Sequence, residues 1–250
     1  MSSLEGKKAV VTGGSRGIGA ASAIALARAG AEVLVTWRSR REQAEAVVAR
    51  IRDAGGTAHA LSLDATDPLA VRDFGAEVGK RLGRVDVLFN NAGDLVKRLK
   101  IEEQTPEYIR QVFDLNVLST ILVTQALLPL MPRHGVIVNM SSAAGRDGGG
   151  PGAAVYAAAK GAILSLTRGW ANEFAPRGIR VFAVAPGVVD TDFHKRHSSP
   201  QLLETVAQTT PAGKCGEPDD VARAVVYLAG EGNGFMDGVT IDLNGGRSFY

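Results

Sequence analysis

Lys8-Ala9-Val10-Val11-Thr12-Gly13-Gly14-Ser15-Arg16-Gly17-Ile18-Gly19 is a short apolar run that ends in clustered glycines and passes into an alanine-rich stretch reaching Ala29. An unbroken apolar run of this length reads as a strand buried on both faces of a parallel sheet. Ile18 to Ala29 reads as a helix stopped by Gly30, a usual helix terminator. Glycines at the junction let the backbone turn tightly and approach a ligand closely. The helix start presents free N–H groups and the positive end of its dipole to an anion. A tight turn of purely structural purpose is the competing reading. The clean strand before and helix after are the context that a dinucleotide phosphate site requires.

The alternation continues outward. Glu32 to Trp37 is the second strand and Arg41 to Ala54 a helix closed by Gly55-Gly56. Thr57 to Leu63 is the third strand, Pro68 to Leu82 a helix with proline in its first turn, and Val85 to Asn90 the fourth strand. Pro106 opens a long helix to about Leu128; Gly135 to Met140 is strand five; Ala153 to Phe174 is a helix; Ile179 to Ala185 is strand six. Pro218 to Leu228 is another helix and Val239 to Leu243 the last strand. Strands alternating with helices mean βαβ units and a parallel sheet covered on both faces. Asp192 to Pro218 breaks the pattern, with one short helix expected at Gln201 to Gln208. It follows strand six, on the carboxyl-end side where open parallel sheets bind ligands.

The chain has 250 residues and no obvious linker, which suits one α/β domain spanning residues 1–250. Hydrophobic residues make up 45%, enough for a substantial core. Charged residues make up 22% and the net charge is only +2, so neither nucleic-acid nor membrane binding is expected. Cys215 is the only cysteine, which excludes an intrachain disulfide and fits a reducing cytoplasm. Met1 to Lys8 lacks an apolar signal region, and no apolar run reads as the roughly 20 residues of a membrane helix.

The end of strand two bears on the cofactor. An acidic residue about 20 positions past the glycines would bind the ribose hydroxyls of NAD. The chain instead reads Thr36-Trp37-Arg38-Ser39-Arg40-Arg41. Arg38 is placed to pair with a 2′-phosphate, with Arg16 in support, so NADP(H) is expected over NAD(H). Arg40 and Arg41 read as a solvated helix start. Farther on, Tyr156 and Lys160 stand four residues apart with alanines between. On a helix that spacing puts both on one face. A free tyrosine has a pKa of about 10. A nearby cation lowers it, so the pair is suited to moving a proton on a substrate oxygen. A packed ring beside a snorkelling amine is the alternative.

With these residues in place the chain resembles the short-chain dehydrogenase/reductase family over nearly its whole length. Thr12 to Gly19 resembles the family's TGxxxGxG loop, Asn90-Asn91-Ala92-Gly93 its NNAG motif, and Tyr156 with Lys160 its YxxxK motif. Asn116 lies in Asp114-Leu115-Asn116-Val117, Ser142 follows strand five, and Pro186-Gly187 with Thr191 resembles the PGxxxT segment. The resemblance implies a single-domain doubly wound Rossmann fold, with a seven-stranded parallel sheet in the order 3-2-1-4-5-6-7. It implies Tyr156 as general acid in reduction and base in oxidation. Lys160 would lower the tyrosine pKa and hold the nicotinamide ribose; Ser142 would bond the reacting oxygen; Asn116 would anchor a proton-relay water. On the cofactor it places Gly13, Ser15, Arg16, Gly17, Ile18 and Gly19 of the loop, and Arg38 after strand two. It adds Asp64 and Ala65 at the adenine, and Asn91, Ala92 and Gly93. Pro186, Gly187, Val189 and Thr191 complete the set around the nicotinamide, with no metal.

The reading that follows is an NADPH-dependent reductase of a ketone or other carbonyl, reversible, most like the 3-oxoacyl carrier-protein reductase type. Glu217 to Ala222 and Asp242 to Gly246 carry that likeness without fixing the substrate. An NAD(H)-dependent dehydrogenase of a sugar or other secondary alcohol, and a non-catalytic nucleotide sensor, are the alternatives. Family members pair the helices of Val117–Leu128 and Ala162–Trp170 across subunits, which implies a homotetramer, or else a dimer. The chain also departs from the family pattern. Ser142 precedes Tyr156 by 14 positions, about one more than usual, which puts an extra residue in the loop Arg146 to Gly152. Phe182 stands where many members have asparagine, a change expected to touch packing and not chemistry. His194-Lys195-Arg196-His197 reads as a solvated lid segment rather than a metal site. His59 and His134 read as surface or turn residues and Cys215 as a plain loop residue. Lys97-Arg98 and Arg146-Asp147 read as solvated charge flanking the pocket.

Overall fold

The strands form one seven-stranded sheet, all parallel, in the order β3-β2-β1-β4-β5-β6-β7. They are β1 (Lys8–Val11), β2 (Glu32–Trp37), β3 (Ala58–Ser62), β4 (Val87–Asn90), β5 (Val136–Met140), β6 (Arg180–Pro186) and β7 (Thr240–Leu243). The computed structural model describes residues 3–231 and 233–250. Met1 and Ser2, quoted in the amino-terminal reading, lie outside them.

Helices cover both faces. On one side α1 (Gly17–Arg28), α2 (Arg41–Asp53) and α10 (Pro218–Ala229) bury Ala23, Leu26, Val48, Ile51 and Val225 against Val11, Val35 and Val138. On the other, α3 (Pro68–Leu82), α5 (Ser119–Leu127) and α7 (Ala154–Phe174) bury Val71, Phe74, Val123, Leu127 and Phe174 against Val10, Leu88 and Ile137. Neighbouring residues on β1 and β5 thus serve opposite cores, as a two-period strand buried on both faces must. The ends are set locally. Asp67 caps α3 by accepting from the backbone N–H of Leu69 and Ala70, Pro68 fills its first turn, and Gly83 closes it at φ 73°.

Phe182 is fully buried in the first core, its ring 5.9 Å from the Arg180 guanidinium. It fills space that a polar side chain would have to fill with a hydrogen bond. Phe182→Ala is expected to cost about 3–5 kcal/mol in urea denaturation. A loss below about 1 kcal/mol would mean that the core collapses around the gap.

The long helix from Pro106 is interrupted. It runs as α4 (Pro106–Phe113), a π-helical turn (Asp114–Leu118) and α5, where the sequence pattern predicts one unbroken helix. Single π turns inside helices gather at functional positions, and this one carries Asn116. The continuous run Pro106–Leu130 has a mean hydropathy of 1.5 over its most apolar window and is long enough to cross a bilayer by length and composition. That corrects the sequence reading that no such run exists. Here the run lies along the sheet, with Val112, Asn116, Thr120, Val123, Thr124 and Leu127 buried.

Register brings the loops of the site to one edge. Val11 pairs with Val35, Asn90 with Asn139, and Met140 with Val184. The residues that follow these pairs therefore emerge side by side at the carboxyl edge. The short α6 (Ala144–Asp147) follows β5, and two further helices roof that edge, α8 (Asp192–His197) and α9 (Pro200–Thr209). The sequence pattern predicts only the second.

Candidate functional site

The carboxyl edge holds a cleft of about 770 Å³ that runs from the glycine loop and Arg38, past Gly93, to Ser142, Tyr156 and the roof helices. All of the residues assigned to the cofactor from the sequence line it. Of the Asn116, Ser142, Tyr156 and Lys160 set, the last three line the cleft, and Asn116 lies just behind Gly93.

The phosphate end is a rigid cradle. Gly13 has φ 63° and Gly17 φ 53°, both left-handed. A Cβ at Gly19 would stand 2.5 Å from both Asn91 Nδ2 and Gly13 O, so no side chain fits there. Asn91 braces the loop by donating its side-chain amide to Thr12 O at 2.8 Å and Gly13 O at 3.2 Å. Thr12 Oγ1 in turn accepts from the N–H groups of Asn91 and Ala92, each at 3.0 Å. The two glycine-bearing motifs are thus bolted together, and the α1 amino end stays open to an anion.

Next to the cradle no carboxylate ends β2. Arg38 is exposed at the cleft, with Asp64 as a Coulombic neighbour. Asp64 Oδ1 accepts from the Thr66 N–H and hydroxyl, and these bonds hold the carboxyl below its usual range. Arg40 also lines the cleft and faces Arg16 closely enough to repel it. The solvated reading holds for both: Arg41 is exposed and pairs with Glu45 at 2.7 Å, and Arg40 is exposed at the start of α2, on the cleft wall. Burial lowers the Arg16 pKa, as do Arg196 and Arg40, while Asp192 at 3.5 Å works against them.

The far end of the cleft is built on β5 and α7. Ser141 and Ser142 point differently. Ser141 Oγ is buried and donates to Lys160 O at 2.8 Å, while Ser142 faces the cleft and hydrogen-bonds the Tyr156 hydroxyl. Tyr156 is 9% exposed and Lys160 3%. Lys160 Nζ donates to Met140 O at 2.9 Å and lies 5.7 Å from the Tyr156 ring centre. A Cβ on Gly93 would meet Asn116 Oδ1 at 2.5 Å and Lys160 Nζ at 3.1 Å, so both polar atoms crowd that glycine. Asn116 donates its amide to Asp94 O at 2.7 Å and Val112 O at 2.8 Å. Its buried Oδ1 has no hydrogen-bond partner among the described residues.

Electrostatics correct one expectation. Burial pushes the Tyr156 pKa well above its ordinary value; the Ser142 hydrogen bond opposes this and the Asp94 charge adds to it. Burial also drives Lys160 down to about 8, with Asp94 working to raise it. Without a cofactor, desolvation outweighs any lowering of the tyrosine by the lysine. At neutral pH the phenol is therefore a proton donor, the form that reduction needs.

The roof carries what the sequence did not reveal. Phe193 lays its ring 5.9 Å from the Tyr156 ring. Asp94, directly after the NNAG segment, takes Arg196 at 3.0 Å and His197 at 2.8 Å. His197 is only 8% exposed and is not part of a solvated segment. His194 is held down to about 4, first by burial, then by Arg98 and His197. Arg98 donates to His197 O at 2.9 Å and Pro151 O at 3.0 Å, so it ties the lid to the loop before Tyr156. Arg146 is not solvated charge either, since it pairs with Asp242 at 3.0 Å. Burial raises the Cys215 thiol pKa, which disfavours the reactive thiolate. His59 is bonded to Glu32 at 2.9 Å, and His134 sits in a turn at φ 67°.

Comparison with known proteins points the same way. A family model described as Enoyl-(Acyl carrier protein) reductase matches residues 13–248. An oxidoreductase of Methylorubrum extorquens is 43% identical, with 98% of this chain and 99% of that one covered. The 3-oxoacyl-[acyl-carrier-protein] reductase of Escherichia coli is 37% identical, with 97% and 98% covered. A short chain dehydrogenase from Burkholderia cenocepacia, solved in complex with NADP, superposes with a TM-score of 0.91 at 35% identity and covers 98% of each chain. With these matches and the seven-stranded parallel sheet, the chain belongs to the short-chain dehydrogenase/reductase family of oxidoreductases.

Proposed function

We propose that this protein is an NADPH-dependent reductase that converts a ketone or other carbonyl to a secondary alcohol, and runs the reverse oxidation. The observation that carries the reading is the convergence of Ser142, Tyr156 and Lys160 on a cleft whose other end is a glycine cradle flanked by arginines. The site fits a dinucleotide: left-handed Gly13 and Gly17 turn the loop tightly at the open α1 amino end, and at the other end of the cleft Asn116 Oδ1 is left with an unused acceptor among the described residues. Arg38, Arg16 and Arg40 fit a 2′-phosphate, and no carboxylate ends β2 to reject it. When bound, the nicotinamide supplies the hydride in reduction and accepts it in oxidation.

The residues do the rest. Ser142 and Tyr156 hydroxyls donate to the substrate oxygen as negative charge grows on it, and Tyr156 gives up its proton. Lys160 stays charged beneath the ring, favours the transient phenolate and binds ribose hydroxyls. Asn116 Oδ1 and Lys160 Nζ hold a relay water near Gly93, which returns the proton. Gly187 lies against Asn244, where an added Cβ would meet its Cα at 3.2 Å, so the segment covering the nicotinamide is tightly packed.

Two broader properties belong to the same reading. The outward faces of α4 and the π turn leave Ile109 and Leu118 exposed, which suits helix pairing between subunits of a homotetramer. A single cysteine suits the cytoplasm.

Purified protein assayed with NADPH and NADH against 3-oxoacyl thioesters, ketoesters, sugars and cyclic ketones tests the reading; no turnover on any would sink it. Arg38→Asp is expected to cut kcat/KM for NADPH by about 10-fold or more and to leave NADH less affected. An unchanged NADPH/NADH ratio would place the phosphate elsewhere.

A further inference from the structure

The geometry points to Asp94 as the latch of the substrate lid: a positioning residue whose carboxylate holds α8 closed and so keeps Phe193 packed on Tyr156. This rests on the reading of Tyr156 as the acid/base group and adds to it a residue that sets access to that group.

Asp94 joins three parts of the site. Its main-chain oxygen accepts from Asn116 Nδ2 at 2.7 Å, which fixes it to the π turn. Its carboxylate reaches across to α8, bonding Arg196 Nη1 at 3.0 Å and His197 Nε2 at 2.8 Å. These partners lie at the carboxyl end of α8, and the His197 carbonyl there is also held by Arg98 Nε at 2.9 Å. At the other end of α8, Arg16 of the glycine loop reaches Asp192 at 3.5 Å. Phe193 is one residue further along, edge-on to His197 with ring centres 4.9 Å apart and 5.9 Å from Tyr156. The Tyr156 ring is thus covered by a side chain whose position depends on contacts at both helix ends.

The latch is electrostatically costly, which argues that it is not incidental. Burial alone would raise the Asp94 pKa, yet His197 and Arg196 hold it below the usual carboxylate range. The partly desolvated carboxylate beside the Tyr156–Lys160 pair is satisfied by these two lid residues and by the Leu95 N–H, which donates to Oδ1 at 2.8 Å. Opening the lid strips it of both lid partners and leaves the Leu95 N–H alone, so closure is favoured. The same ion pairs must be broken for a bulky substrate to enter over Phe193. A short helix held by a few polar contacts is the kind of element that gates an active site.

The test uses Asp94→Asn, with Asp94→Glu as the conservative rescue, all in NADPH-saturated enzyme. Chymotryptic cleavage after Phe193 reports lid opening without any turnover. Cleavage is expected to be about 10-fold faster in Asp94→Asn and partly restored in Asp94→Glu. KM for the carbonyl substrate should rise about 10-fold, with kcat and NADPH affinity within about threefold. If Asp94→Asn lowers thermal stability, Arg196→Gln carries the test, since it leaves Asp94 and its loop in place; the same faster cleavage is expected. Unchanged cleavage in both variants would overturn the latch. So would a fall in kcat at unchanged cleavage and KM, which would assign Asp94 a direct effect on the Tyr156–Lys160 pair. Failure of the reductase reading would leave every variant without turnover, while the cleavage rates would still decide the latch.

Discussion

Tyr156→Phe is expected to lower kcat by about 10³-fold and to leave NADPH affinity within about twofold. The substitution removes one hydroxyl. It keeps the ring, its contact with Phe193 and its burial. The lost atom is the proton donor, kept in its neutral form chiefly by burial. Ser142 remains and still stabilises charge on the substrate oxygen, so activity should fall steeply without vanishing. Folding should be unaffected, because the phenol's polar partner in the protein is a cleft-facing serine that water can serve instead. Steady-state kinetics with a reducible ketone, alongside fluorescence titration of NADPH, checks both halves. Activity within about 10-fold of wild type would remove Tyr156 from the acid/base role.

Lys160→Met should separate stability from function. The lysine is 3% exposed, and burial sets its pKa at about 8, below the ordinary 10.5 of a lysine. The folded state therefore binds this proton more weakly than the unfolded chain does. The penalty is fully present below pH of about 8 and fades as pH rises toward the ordinary lysine value. A buried methionine carries no such penalty but leaves Met140 O without its donor, at about 1 kcal/mol. The net expectation for cofactor-free protein is a gain of about 1–2 kcal/mol at pH 7, shrinking toward pH 10. Turnover should fall by about 10²-fold or more, because the phenolate loses its cation and the ribose its donor. Urea denaturation at the two pH values reads the first effect. A variant less stable than wild type at pH 7 would mean that the Met140 bond outweighs the desolvation.

Much of this architecture is legible in the chain because it is local. The bounds of β2 and α3 follow from an apolar run and from Asp67-Pro68 with Gly83, and the structure reproduces them. Tyr156 and Lys160 share a face because of helix spacing. Other features depend on contacts between distant residues. Asp94 meets Arg196 and His197 across 102 and 103 positions, and no periodicity announces such a meeting. The α8 helix is only six residues long and is held by those contacts, so its own sequence does not predict it. The π turn is similar: its residues favour helix, and the extra width appears where Asn116 spends its amide on Asp94 O and Val112 O. Arg40 is exposed, as its sequence suggests, but nothing local shows that α2 begins at the cleft wall. The tyrosine pKa differs from its sequence expectation for a related reason. The cation is visible as a lysine four residues away, but the depth of burial that outweighs it is a property of the whole fold.

The proposed reaction passes a hydride to a carbonyl carbon held under Tyr156. Isotope transfer tests it most directly. Wild-type protein would be incubated with NADPH deuterated at the transferring position and with each member of the carbonyl panel, and the alcohol analysed by mass spectrometry and NMR. One deuterium, bonded to the carbinol carbon, is expected in the product of at least one substrate. Alcohol formed without that deuterium, or no alcohol from any member of the panel, would contradict it.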